Sequence, residues 1–172
     1  VSIKASDPFM HIALWGDQLL LLTRDELEDG YVSEFFSYNP STGMVSEELT
    51  EKISKDGMTG RIIWCFCAAG NFLYTLEQSG SADAPRFFLV KRDTDYIQLA
   101  EYEIESKDLP ARPGEMFCVD ENHYGLRTFD ADLRILEINA NKGAEAIQLL
   151  EETGTTSDLQ ATIPTLYSKK SI

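Results

Sequence analysis

The stretch Cys65-Phe-Cys-Ala-Ala-Gly-Asn-Phe-Leu-Tyr-Thr-Leu76 decides the fold of this chain, because two related stretches occur in the same sequence. It consists of two apolar runs joined by Gly70-Asn71, a pattern that predicts a β-hairpin with a two-residue turn. The equivalent turns are Gly16-Asp17 and Glu121-Asn122, so the pattern recurs after 54 and then 51 residues. Three copies at this spacing indicate a repeat architecture.

The other two copies run His11-Ile-Ala-Leu-Trp-Gly-Asp-Gln-Leu-Leu-Leu-Leu22 and Met116-Phe-Cys-Val-Asp-Glu-Asn-His-Tyr-Gly-Leu-Arg127. A second hairpin follows each copy, with predicted turns at Asn39 to Gly43 in the first repeat and at Asn139 to Gly143 in the third. Asn, Asp and Gly accept the backbone of tight turns, and the flanking runs are rich in aromatic and aliphatic residues typical of strands. The sequence therefore predicts antiparallel four-stranded repeats of about 50 residues.

The predicted repeats span residues 8–60, 61–112 and 113–160 of a single all-β domain, and residues 161–172 form a C-terminal tail or the start of a further strand. Residues 143–153 have a helix-forming composition, so a short helix is an alternative to the last strand. With 172 residues, 43% of them hydrophobic, the chain is large enough to bury a core. It begins at Val1 without a signal-peptide pattern, which leaves open that it is a processed product or a piece of a longer protein.

The charge balance argues against two classes of partner. Acidic residues number 29 against 15 basic ones, and the net charge of -14 repels nucleic-acid backbones and anionic membranes. The longest apolar run, Ile62 to Ala69, is too short to cross a bilayer. Glu101, Glu103 and Glu105 alternate with apolar residues, which predicts a strand with one solvated face. We expect a protein partner, either a basic one or a chain that completes the fold, and neither nucleic acid nor membrane.

The three cysteines do not predict a disulfide framework, because their number is odd and the chain has no N-glycosylation acceptor. A reducing compartment, the cytoplasm or the nucleus, is therefore expected. In the repeat alignment Cys67 and Cys118 share a position that Ala13 fills in the first repeat. A small buried strand residue is predicted at all three, with no metal and no cofactor, since a metal site requires more ligands close by.

The sequence offers no recognisable catalytic motif. His11 and His123 stand in different repeats, and neither is accompanied by a nucleophile elbow, a zinc-protease helix motif or a phosphate-binding glycine loop. Carboxylates are so numerous that any chosen pair is uninformative without geometry. The expectation is a protein that is not an enzyme.

Two phrases of the sequence carry a resemblance to a known family. Ser37-Tyr-Asn-Pro-Ser-Thr-Gly-Met-Val45 is similar to the turn that ends an outer strand in β-propeller blades of the kelch and F-box-associated type, and Gly70-Asn-Phe-Leu-Tyr74 is similar to the opening of the next blade. The chain thus resembles a segment of three such blades over most of residues 8 to 150. The resemblance implies a protein-interaction scaffold that presents loops from a rigid β-repeat fold.

Three blades do not close a ring, because propellers have four to eight. Either other blades complete the ring, or the three units form a β-trefoil, a threefold fold that binds ligands or glycans. An irregular β-sandwich and an enzyme subunit whose active site other chains complete are further alternatives.

The binding hypothesis places the site on two loops that occupy equivalent positions in the first two repeats. These are residues 24–32 and 78–85, which we expect on one side of the domain. Arg24, Tyr31 and Arg86 are the candidate binding residues there, because aromatic and arginine side chains dominate interface energies.

Overall fold

A computed structural model describes residues 11–28, 30–54, 60–80, 84–105, 109, 113–120, 122–128, 133–139 and 143–147. These residues form strands and turns and contain no helix, so the expectation of an all-β, predominantly antiparallel chain is confirmed. Accordingly, within these ranges no helix has the length and hydrophobicity that a membrane span requires.

The first repeat forms a four-stranded antiparallel sheet in which each strand pairs with the next along the chain. Its strands are β1 (His11–Trp15), β2 (Gln18–Leu27), β3 (Gly30–Asn39) and β4 (Met44–Ser54). We call this the first sheet.

The second repeat forms a meander of the same kind, called the second unit. Its strands are β5 (Ile62–Ala69), β6 (Phe72–Ser79), β7 (Arg86–Arg92) and β8 (Gln98–Ile104). The solvated strand face predicted around Glu101 is present, because Glu101, Glu103 and Glu105 are exposed whereas Ile104 is buried.

The third unit comprises β9 (Pro113–Cys118), β10 (His123–Thr128), β11 (Leu133–Asn139) and β12 (Gly143–Ile147). The alternative of a helix is wrong for residues 143–147, because they extend the sheet by pairing with β11. Residues 148–153, like the tail 161–172, lie outside the described residues. One parallel pair, Ala144 with Ile104, joins β12 to β8, and β5 approaches β9. The last two units thus form a nearly closed, barrel-like sheet of eight strands.

The predicted glycine turns are confirmed. Gly16-Asp17 and Gly70-Asn71 each connect two strands as a two-residue loop, and the φ angles of Gly16 and Gly70 are 57° and 58°. A glycine with positive φ at the first turn position is typical of the type II′ turn, whose twist matches that of the strands. The predicted hairpins at Asn39 to Gly43 and Asn139 to Gly143 are present as well.

Two core clusters hold the three units together. Trp15, Leu20, Leu22 and Phe35 of the first sheet pack against Ile63, Phe66 and Leu73 of the second unit. Cys67, Tyr74 and Leu76 of the second unit pack against Tyr124, Leu126 and Leu136 of the third. The second unit is therefore buried on both faces: one face packs on the first sheet, and the other faces the interior of the barrel-like sheet that it forms with the third unit.

The strand pairing of the third unit is shifted by one residue from the pairing that the repeat predicts. Cys118 pairs with Tyr124, whereas Cys67 pairs with Tyr74 across a hairpin that has a two-residue turn. Glu121 replaces the glycine of the other turns, and a glutamate adopts positive φ only at a cost. The Asp120 carboxylate accepts hydrogen bonds from the Asn122 and His123 amides, and the Val119 amide donates to the His123 carbonyl.

The predicted equivalence of Cys118 with Cys67 and Ala13 is therefore wrong, because Cys118 turns toward the second unit and is only partly buried. Burial itself is confirmed for Cys67, whose thiol pKa is raised well above its ordinary value by desolvation.

Candidate functional site

Arg24 is part of the contact between the first sheet and the second unit. It lies within β2, so the predicted loop 24–32 is wrong: strands β2 and β3 continue to Leu27 and from Gly30. The two strands pair without interruption from Leu19 with Tyr38 to Leu27 with Gly30, so the pairing extends to the end of the hairpin. The Arg24 guanidinium lies 4.0 Å from the centre of the Trp64 ring and donates to the Trp64 carbonyl at 3.4 Å.

The other two predicted binding residues are more accessible. Tyr31 is exposed on β3, and Arg86 begins β7 in a doubly hydrogen-bonded ion pair with Glu103, at 2.9 and 3.0 Å. The β2–β3 turn and the β6–β7 connection do lie at corresponding ends of their sheets, opposite the Gly16 and Gly70 turns. The structure thus gives Arg24 a packing role and leaves Tyr31 and Arg86 on the surface.

A buried ion-pair network lies on the second unit. The Glu77 carboxylate is 1% exposed, and it accepts hydrogen bonds from Arg92 at 2.6 Å, from Thr75 at 2.7 Å and from Arg61 at 3.3 Å. Arg61 in turn donates to Glu101 at 2.7 Å. Each carboxylate oxygen of Glu77 is engaged by a cation, so the network links β6 to β7 and to Arg61 immediately before β5.

The two histidines have separate environments. His123 Nδ1 lies 2.8 Å from Asp120 Oδ1, within the loop that Asp120 caps. His11 packs edge-on against Phe66, and desolvation, together with the nearby Arg24 charge, lowers its pKa to about 4. Among the residues that the structure describes, no group of three or more His, Cys, Asp or Glu side chains is placed to hold a metal.

The partly buried His11 makes stability depend on pH. Because its folded pKa of about 4 lies below the ordinary 6.5, the unfolded chain binds the proton more tightly, and stability is lost as pH falls from about 6.5 toward 4. We expect the free energy of unfolding to fall by about 2 kcal/mol between pH 8 and pH 5 from this residue. Urea titrations of the wild type and His11→Gln over this range measure the effect; an equal decline in both proteins would contradict it.

The face of the first sheet that points away from the second unit is apolar. Strand pairing aligns two rows of side chains across it. We call this surface the far face; its rows are Leu14, Leu19, Tyr38, Val45 and Ile12, Leu21, Phe36, Glu47. Ile12 and Leu14 on β1 are 62% and 71% exposed, whereas Leu21 and Phe36 in the middle of the face are buried. Adjacent exposed apolar residues of this kind mark an interaction surface more often than scattered ones do.

Two capped turns at the opposite end from the β2–β3 turn display further exposed apolar side chains. The Asn39 side chain accepts hydrogen bonds from the amides of Ser41 and Thr42, and the Asp93 carboxylate accepts them from Asp95 and Ile97. The exposed residues that these turns present are Met44 (64%), Ile97 (60%) and Leu99 (51%). We call these three residues the turn surface.

Tyr96 fixes the second of these turns against the first sheet. Its backbone has a φ of 62°, its hydroxyl donates to Gln18 at 3.2 Å, and its ring packs edge-on against Trp15 and Phe35. Trp15 Nε1 also donates to the Gly70 carbonyl at 2.9 Å. The turn that carries Ile97 is therefore braced against the first sheet, at a contact that joins two units.

Comparison with known proteins gives no match: no family model, curated protein or solved structure matches the chain. The candidate surfaces therefore rest on geometry alone. Sequence reasoning missed the turn surface, although Asn39 and Asp93 are recognisable turn-starting residues. It missed the surface because an apolar residue next to a turn is usually buried, and only the fold shows that these are not.

Proposed function

We propose that this chain is a non-catalytic protein-interaction scaffold of the propeller type, which binds a partner protein through the turn surface. The observation that carries the proposal is the combination of exposed apolar side chains and rigid capped turns on stacked β-units. Rigid presentation lowers the entropy cost of binding, and apolar anchors dominate the energy of protein interfaces.

Two features support a propeller-type arrangement over a trefoil. Each repeat forms its own four-stranded meander, with consecutive strands paired in order. The second unit also buries one face on the first sheet, as adjacent blades do, whereas the third unit joins the edge of the second in one nearly closed sheet. The enzyme-subunit alternative has less support, because the buried charges of the described residues are engaged in ion pairs. A reducing compartment stays a prediction.

The double substitution Met44→Glu with Ile97→Glu tests this function. Two charges placed on the apolar anchors are expected to weaken partner binding about tenfold or more, without unfolding the chain, because both positions are exposed. The measurement is quantitative capture of proteins from a lysate of the source cells on the immobilised chain. Candidates are then confirmed by titration with the purified partner.

Ile12→Glu with Leu14→Glu is the matched control, since it places the same charges on exposed apolar residues of the far face. A partner retained by the control and lost with the turn variant supports the proposal. Equal binding by all three proteins would remove the turn surface as the site, and substrate turnover by the purified chain would contradict a non-catalytic function.

A further inference from the structure

The eight-stranded sheet is closed around its core except along one line. Its two edge strands, β5 and β9, approach each other, but no backbone pairing joins them among the described residues. We call this junction the seam. All other neighbouring strands of the sheet are joined by backbone pairing. A link across the seam must therefore come from side chains.

A cysteine faces the core from each side of the seam. Cys67 on β5 belongs to the core cluster inside the sheet, and Cys118 on β9 packs against that cluster. Cys67 pairs with Tyr74 on β6, and Cys118 pairs with Tyr124 on β10. These four side chains form one row across the seam, in the order Tyr74, Cys67, Cys118, Tyr124.

The two tyrosines show that the row is level on both sides of the seam. Tyr74 and Tyr124 meet inside the sheet with ring centroids 4.4 Å apart. Since each tyrosine lies opposite a cysteine of the neighbouring strand, this contact brings Cys67 and Cys118 to the same height. Cα atoms of β5 and β9 approach within 8 Å, and a disulfide joins Cα atoms roughly 4.4 to 6.8 Å apart. A small closure of the seam therefore brings the two sulfur atoms to bonding distance.

The two thiols differ in their access to solvent. Cys118 is only partly buried, and its Sγ donates to the Asp120 carbonyl at 3.2 Å. Cys67 is 6% exposed; desolvation raises the pKa of its thiol, and the neighbouring Cys118 adds to that shift. An oxidant in solution therefore reaches Cys118 first. The third cysteine, Cys65, is completely buried and pairs with Leu76, outside this row.

We propose that Cys67 and Cys118 form a disulfide across the seam when the chain meets hydrogen peroxide. Peroxide converts the Cys118 thiol to a sulfenic acid and releases one water. The Cys67 sulfur then attacks the Cys118 sulfur: the S–S bond forms, the S–O bond breaks, and the hydroxide leaves with the Cys67 proton as a second water. The two sulfurs together lose two electrons, which the peroxide takes up. This reaction depends neither on the turn surface nor on a partner.

The bond joins the two edge strands where backbone pairing is missing. Cys67 and Cys118 are 51 residues apart in the chain, and a cross-link over a loop of this length restricts the unfolded chain. We therefore expect the oxidised chain to unfold at a urea concentration about 1 M or more above that of the reduced chain. A thiol reductant is expected to reverse the shift, because it cleaves the disulfide by exchange.

Peptide mapping of the peroxide-treated chain tests the inference. The fully reduced, folded chain is exposed to dilute hydrogen peroxide, its remaining thiols are blocked with N-ethylmaleimide in urea, and it is digested without reduction. Mass spectrometry is expected to find a peptide pair that contains Cys67 and Cys118 and lacks two hydrogen atoms. Two of the three thiols should be lost within one chain, and the urea midpoint should rise.

Three alanine variants keep a small apolar side chain at each position. Cys65→Ala is the matched control and should retain both the disulfide and the shift of the urea midpoint. Cys67→Ala and Cys118→Ala should lose both. In Cys67→Ala the sulfenic acid of Cys118 should accumulate and be trapped by dimedone, because no second thiol remains beside it. If Cys67→Ala fails to fold, the comparison of Cys118→Ala with Cys65→Ala decides.

Several results would overturn the inference. They are a disulfide that contains Cys65, a disulfide between two chains, and a wild type in which Cys118 stays a sulfenic acid or proceeds to the sulfinic acid. A disulfide between Cys67 and Cys118 that leaves the urea midpoint unchanged would overturn the stabilisation of the seam.

Discussion

Replacing Glu77 by alanine is expected to lower the free energy of unfolding by about 3–5 kcal/mol. The Glu77 side chain is fully buried, and it is the counter-charge of Arg92, which is only 7% exposed. Removal of one partner leaves a buried charge uncompensated, and Arg92 already has one side-chain nitrogen, Nε, without a hydrogen-bond partner among the described residues. Urea unfolding followed by circular dichroism measures the loss.

Glu103→Ala is the matched control, since it also removes a glutamate from a pair with arginine on the same unit. That pair is solvent-exposed, so its loss should change stability far less. Replacing Glu77 and Arg92 together by methionine should recover much of the stability, because no charge then remains buried. If the Glu77→Ala protein were as stable as the Glu103→Ala protein, the buried ion-pair network would make no contribution to the free energy of unfolding.

Phe35→Ala is expected to destabilise the chain by about 3–5 kcal/mol, through the cavity that it leaves between the first sheet and the second unit. The Phe35 ring is completely buried and packs edge-on against Phe66, with centroids 4.9 Å apart, and against Tyr96. It therefore links the first core cluster to the turn that carries Ile97. The measurement is the urea midpoint together with the intrinsic fluorescence of Trp15, which lies in the same cluster.

Leu14→Ala on the far face of the same sheet is the control, with an expected change within about 0.5 kcal/mol because Leu14 is exposed. If Phe35→Ala lowered the free energy of unfolding no more than Leu14→Ala does, the stability of the first sheet would not depend on this core.

The hairpins were predictable from sequence because their causes are local. Gly16 and Gly70 adopt positive φ in two-residue turns, a preference that depends on a single residue and its neighbours. The alternation of exposed and buried side chains around Glu101 and Ile104 likewise follows from the geometry of a single strand. In the third repeat, where no glycine marks the turn, the predicted position of Cys118 was wrong by one residue.

The role of individual side chains depended on contacts between distant segments. Arg24 reads as a loop anchor in the sequence, but the pairing of β2 with β3 and the position of Trp64 place it in a sheet contact. The ion pairs of Glu77 with Arg92 and Arg61 could not be predicted from the sequence pattern either. The folded strands bring these residues together although they are distant along the chain.

The sequence by itself determined the class of this protein: three β-repeats, their turns and a strongly acidic, globular composition. Only the tertiary structure decided which apolar residues remain outside the core. Ile12 and Ile97 are exposed whereas Ile63 is completely buried, although all three are isoleucines in or beside strands. The physical reason is that burial depends on which face of a sheet another unit covers, and that follows from the stacking of units rather than from local propensity.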